Sequence, residues 1–68
     1  MTMSYTFEMQ NGMMKITADW GIICEVEVND TNIDDVLFNN VPLDIADRAM
    51  VRDEMIYGTG YMHICRTF

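Results

Sequence analysis

The stretch IICEVEVNDTNIDD, residues 22–35, carries Glu25, Glu27, Asp30, Asp34 and Asp35 and no basic residue. Carboxylates at this density can chelate a hard cation, meet a basic surface, or face water. Chelation has a geometric test. Asp30, Asn32 and Asp34 reproduce the D-x-N-x-D opening of an EF-hand calcium loop. The sixth position, which needs glycine for a sharp turn, is Asp35, and the twelfth, which needs a bidentate glutamate, is Val41. What is left is a weak, irregular calcium loop at most, and the ordinary alternative is an Asx-rich turn whose side chains bond their own backbone. Zinc would have to draw on Cys24, His63 and Cys65, with no C-x-x-C pair to anchor it. No cofactor is expected.

Catalytic groups are equally sparse. The chain has one histidine, and its sequence neighbours supply no triad. The glycine-containing run YGTGY, residues 57–61, follows a helical pattern instead of opening one, so it offers no helix N-terminus to an anion. A 68-residue chain also has little room for a water-excluding pocket. The expectation is a protein that is not an enzyme.

The elements that must position the acids can be read from alternation and turn chemistry. In SYTFEMQ, residues 4–10, Tyr5, Phe7 and Met9 share one face and Thr6, Glu8 and Gln10 the other. Asn11-Gly12 is the strongest short hairpin signal, because a type I′ turn needs positive φ at both central residues. A two-residue loop there sets Met9 against Met14, Phe7 against Ile16 and Tyr5 against Ala18, with Glu8 facing Lys15 and Thr6 facing Thr17. Apolar pairs fall on one side and polar pairs on the other. A second turn, Asp19-Trp20-Gly21, keeps the faces consistent if it holds three residues with glycine third: Ile16 then faces Cys24, Met14 faces Val26, and Lys15 lies between Glu8 and Glu25. Glu25 and Glu27 alternate with Cys24, Val26 and Val28 and therefore project to water.

Residues 28–40 read as a connection with a short helical turn, capped by Thr31 and tucking Ile33, Val36 and Leu37 under the sheet. Val41-Pro42 ends it. A main helix is predicted from about Asp44, an N-cap, to Tyr57, with Asp47 favouring its positive end and Gly58 stopping it. Two stripes compete for its buried face. Ile45, Ala49 and Ile56, broadened by Ala46, Met50 and Tyr57, would place Asp53 inside; a narrower stripe tilted toward Val51 and Met55 avoids that conflict and is preferred. YMHICRTF, residues 61–68, closes the chain as a fourth strand with Met62, Ile64 and Phe68 toward the helix. The expected fold is one α+β domain spanning 1–68: a three-stranded antiparallel meander, one main helix on one face, and a C-terminal strand returning beside the first by a crossover, giving a mixed sheet in the order 3-2-1-4.

Charge patterning bounds the function. The formal net charge is −7, which argues against direct binding to nucleic acid or an anionic membrane. Between Lys15 and Arg48 there is no cation, while Asp19, Glu25, Glu27, Asp30, Asp34, Asp35, Asp44 and Asp47 fall in that interval. No apolar run reaches the ~20 residues of a bilayer span, the N-terminus lacks the basic and apolar segments of a signal peptide, and two cysteines then suit a reducing cytoplasm, although a Cys24–Cys65 disulfide stays open. The resulting expectation is a non-enzymatic binding module, an inhibitor or adaptor, that docks Glu25, Glu27, Asp30, Asp34, Asp35, Asp44 and Asp47 onto a basic protein surface. The alternative is a structural or assembly subunit acting as a homo-oligomer, favoured by exposed strand edges and eight methionines.

In length, in its acid-only interval from Ile16 to Asp47 and in its α+β pattern, the chain resembles the small acidic proteins that phages encode against host defences, the anti-CRISPR and DNA-mimic class. The resemblance rests on size and charge, not on a motif, and carries no site residue over. It implies a partner that is a nucleic-acid-handling complex and a blocking role.

Overall fold

A computed structural model of the chain describes residues 1–67. Asn11 and Gly12 both take positive φ, 53° and 79°, and join β1 (Thr2–Gln10) to β2 (Met13–Ala18). The register is the predicted one: Met9 opposite Met14, Phe7 opposite Ile16, Tyr5 opposite Ala18, Glu8 opposite Lys15. β3 (Gly21–Glu27) continues the meander, with Ile16 facing Cys24, Lys15 facing Glu25 and Met14 facing Val26. The expected three-residue loop is replaced by a two-residue one. Ala18 already faces Gly21 and Thr17 faces Ile22, so the loop is Asp19-Trp20 and the extra residue, Ile23, is a bulge inside the strand. One inserted residue restores the same phase wherever it sits, which is why the strand body agrees. Gly21 takes φ 128°, a backbone that a β-carbon would strain.

The strand order is β3-β2-β1-β4, as expected, but β4 (Tyr61–Thr67) runs antiparallel to β1, not parallel, so the sheet is wholly antiparallel. The reason lies in the helical layer. Residues expected to form a single helical turn form α1 (Ile33–Asn40), a helix in its own right, ahead of α2 (Ile45–Ile56). Asp34 meets Arg52 and Phe38 meets Arg48, so the two helices run antiparallel. One helix would carry the chain to the far end of the sheet; two bring it back to the end where β3 finished, and β4 must then descend against β1. Thr31 is not the cap of α1. Asn32 occupies that position without a side-chain cap bond, and Asn29 organises the turn instead.

The helices cover one face of the sheet. Tyr5, Phe7, Met14, Ile16 and Ile64 from the strands pack with Ile33 and Leu37 of α1 and Val51 and Met55 of α2. On α2 the preferred, tilted stripe is the buried one: Val51 and Met55 are inside, whereas Ile45 is 77 % exposed and Tyr57 73 %. Asp44 caps α2, its carboxylate accepting the Asp47 N–H at 2.8 Å. On β4, Ile64 is buried and Met62 partly so, in the expected phase; the expectation for Phe68 lies outside the described residues. Met55→Ala should cost about 2–5 kcal/mol through the cavity it leaves, and Ile45→Ala no more than about 0.5 kcal/mol, as read by urea unfolding of the two variants.

Candidate functional site

β3 is an edge strand, and its outer face turns to water because the helices lie on the other side. Glu25 and Glu27, two apart, are therefore exposed on one face, about 7 Å from each other. Lys15 sits between Glu8 and Glu25 in the strand register, so Glu25 has a cation beside it, whereas Glu27 faces Met13. The chain leaves the sheet at Val28, whose N–H is held by the Gly12 carbonyl at 2.9 Å. A tight turn follows. Asn29 Oδ1 accepts from the Thr31 and Asn32 backbone N–H groups and from the Thr31 hydroxyl. Asn32 Oδ1 accepts the Asn29 N–H at 2.7 Å, and its Nδ2 donates to the Glu27 carbonyl. This is the Asx-rich turn that was the alternative to a calcium loop, and it leaves Asp30 exposed. Asp34 and Asp35 then fall in the first turn of α1, where the helix dipole favours negative charge.

Five of the seven predicted docking residues are thus brought to one end of the molecule: Glu25 and Glu27 on the exit of β3, Asp30 on the turn, Asp34 and Asp35 on the start of α1. The other two are not. Because the helices are antiparallel, the start of α2 lies beside the end of α1, away from Asp34. Asp44 there is engaged as a helix cap. Asp47 has only 9 % of its surface exposed and is held bidentately by Arg66, Nη2 to Oδ1 at 2.7 Å and Nε to Oδ2 at 2.9 Å. Asp47 is a packing element that ties α2 to β4, and it is removed from the docking set.

The chain has four Lys and Arg side chains, and the three arginines are engaged inside the fold. Arg66 holds Asp47. Arg48 lies over the Phe38 ring at 5.2 Å and donates to the Leu43 carbonyl. Arg52 reaches Asp53 at 3.3 Å and Asp34 at 3.6 Å, exposed contacts of small energetic weight. Lys15 is flanked by glutamates. Among the described residues, Glu27, Asp30 and Asp35 take part in no ion pair. On the open sheet face an unroofed depression of about 440 Å³ is lined by Glu8, Met13, Lys15, Glu25, Gly60 and Tyr61 among others.

Other candidate chemistry is dispersed. Cys24 is on β3 and faces the core side, where burial pushes its thiol up. Cys65 is on β4, exposed beside Ser4. The two thiols sit on opposite edges and opposite faces of the sheet, so neither the intramolecular disulfide nor the zinc set with His63 is assembled. His63 Nδ1 and the Thr6 hydroxyl are hydrogen-bonded at 3.0 Å on the open face.

Sequence reasoning missed the Asp47–Arg66 pair. The signal was present: Asp47, Val51 and Met55 follow i, i+4, i+8, and Arg66 follows Met62 and Ile64 in the inward phase of its strand. Comparison with protein-family models, curated proteins and solved structures gives no match to this chain.

The Arg66 hydrogen bonds, opposed by burial and helped by the guanidinium charge, hold the Asp47 carboxyl below its ordinary 3.8. A carboxyl lowered in the folded state stabilises fully above its unfolded value, and that stabilisation is lost as pH falls through the lowered one. Urea unfolding followed against pH should therefore fall more steeply below about pH 4 for the wild type than for Asp47→Asn.

Proposed function

We propose that this chain is a non-enzymatic binding module that presses the acidic end built from Glu25, Glu27, Asp30, Asp34 and Asp35 onto a basic surface of a partner protein, as an inhibitor or adaptor. The observation that carries this reading is a group of exposed carboxylates, Glu27, Asp30 and Asp35, with which no Lys or Arg among the described residues forms an ion pair. Desolvating a carboxylate that already has a partner exchanges one ion pair for another; one without a partner gains the whole interaction. Three rigid supports hold the acids in place — an edge strand, an Asn-locked turn and a helix start — so little conformational freedom is lost on docking. A basic surface that normally receives nucleic acid is the natural complement, in keeping with the resemblance to small acidic anti-defence proteins. Free thiols at Cys24 and Cys65 suit a reducing compartment such as the cytoplasm. Among the described residues no helix is long and apolar enough to cross a membrane.

A second reading, a homo-oligomeric assembly subunit, is favoured by a different observation: Ile45, Met50 and Tyr57 of the α2 region are apolar and exposed.

The docking reading is tested by two double charge reversals of equal net charge. Proteins captured on the wild-type chain should be released as salt is raised from about 0.05 to about 0.5 M. They should be lost on Glu27→Lys with Asp35→Lys and retained on the charge-matched control, Asp19→Lys with Asp53→Lys. Equal loss in both double variants would reduce the effect to bulk charge, and equal retention would remove the acidic end from the interface.

A further inference from the structure

We infer that the free edge of β4 is a self-pairing surface, through which two copies of this chain join into one eight-stranded antiparallel sheet. The inference rests on the second, oligomeric reading and gives it a location. Met9 donates its N–H to the Gly60 carbonyl at 2.7 Å, and the antiparallel register continues through Phe7–Met62 and Tyr5–Ile64. Main-chain groups alternate in direction along a strand, so Met62, Ile64 and Arg66 spend theirs on β1, while the N–H and C=O of Tyr61, His63 and Cys65 point away from the sheet. The Tyr61 carbonyl accepts from the Thr59 hydroxyl and the Cys65 carbonyl from Arg66; each keeps a second lone pair. Among the described residues, the His63 carbonyl and the outward N–H groups of His63 and Cys65 have no hydrogen-bond partner.

The two edges of the sheet differ in how they resist such pairing. β3 carries a bulge at Ile23 and outward glutamates at 25 and 27, devices that block strand addition. β4 has no bulge, no proline and no acidic residue. The layer beneath it is apolar where it is open. Asp47, Met50, Glu54 and Tyr57 form one row on α2 at i, i+3, i+7 and i+10; Asp47 reaches Arg66 and Glu54 reaches Thr59, so this row runs along β4. Within it both carboxylates are occupied, and Met50 and Tyr57 are exposed. The occupant is a second copy because the edge is its own complement under a two-fold axis and because, in a chain of charge −7, β4 is the edge whose own strand sets no carboxylate against its copy, whereas β3 would oppose Glu25 and Glu27. Pairing here leaves both acidic ends at the outer extremes of the joined sheet. A strand edge with this flank is small beside a standard interface, so the association is concentration-dependent.

The test is sedimentation equilibrium of the intact chain over a concentration series, with amide hydrogen exchange by NMR at its two ends. The expected result is a mass rising from 7.9 kDa toward twice that value, little changed by salt, with the His63 and Cys65 amides slowing about tenfold or more in the associated form. His63→Pro, which removes an outward N–H and no ladder bond, should hold the chain at the lower mass. Association with those two amides still exchanging freely, abolished by Ile45→Glu and untouched by His63→Pro, would keep the oligomer and overturn the β4 edge. An unchanging monomer mass would overturn both.

Discussion

The Asn11-Gly12 turn fixes β1 against β2, and nearly every other placement follows from that register. With Phe7 opposite Ile16, the apolar residues of two strands share the face that the helices cover. A slip of one residue would send them to water and bring Glu8 and Lys15 beneath the helices. β3 and β4 inherit the phase from their neighbours. Because only one face is roofed, alternation along the strands becomes a sorting of chemistry: Tyr5, Met14 and Ile64 lie inside, while Thr6, Lys15, Glu25 and His63 lie on the open face.

The same constraint distributes charge. Arg66 takes the helix-side phase near the end of β4 and holds Asp47 of α2 in bidentate geometry. Arg48 and Arg52 are drawn onto the seam between the helices by Phe38 and Asp34. Lys15 is kept in the centre of the sheet between two glutamates. The acidic residues outnumber the basic ones 11 to 4, and once the cations are placed the excess collects where β3 hands over to α1. The asymmetry of this surface is therefore a result of where the few positive groups are needed for packing.

Much of this was legible in the sequence, and its limits have physical causes. The hairpin pairs could be read because a two-residue type I′ turn leaves no freedom in register. The second turn was read with the right phase but the wrong loop, since a bulge at Ile23 and a third loop residue are equivalent downstream. The direction of β4 differs from the expectation for one reason: residues 33–40 form a helix where the pattern suggests only a turn, and one extra helix reverses the chain once more. Among the acidic residues expected to dock, Glu25, Glu27, Asp30, Asp34 and Asp35 are neighbours in sequence and stay neighbours in space. Asp44 and Asp47 were grouped with them by charge alone, and helix packing carries them to the other end. Pattern fixes local neighbours well; it does not say which acid a distant arginine will claim.

The negative field of this molecule is concentrated at the β3–α1 end and weakest along β4. Paramagnetic broadening of the amide NMR spectrum by a small cationic probe, measured against a neutral probe of the same size, reads that field residue by residue. The predicted result is an excess of cationic over neutral broadening centred on Glu27, Asp30 and Asp35, weak at Asp47 and least along His63 to Cys65. An excess spread evenly over the molecule, or greatest along β4, would contradict it.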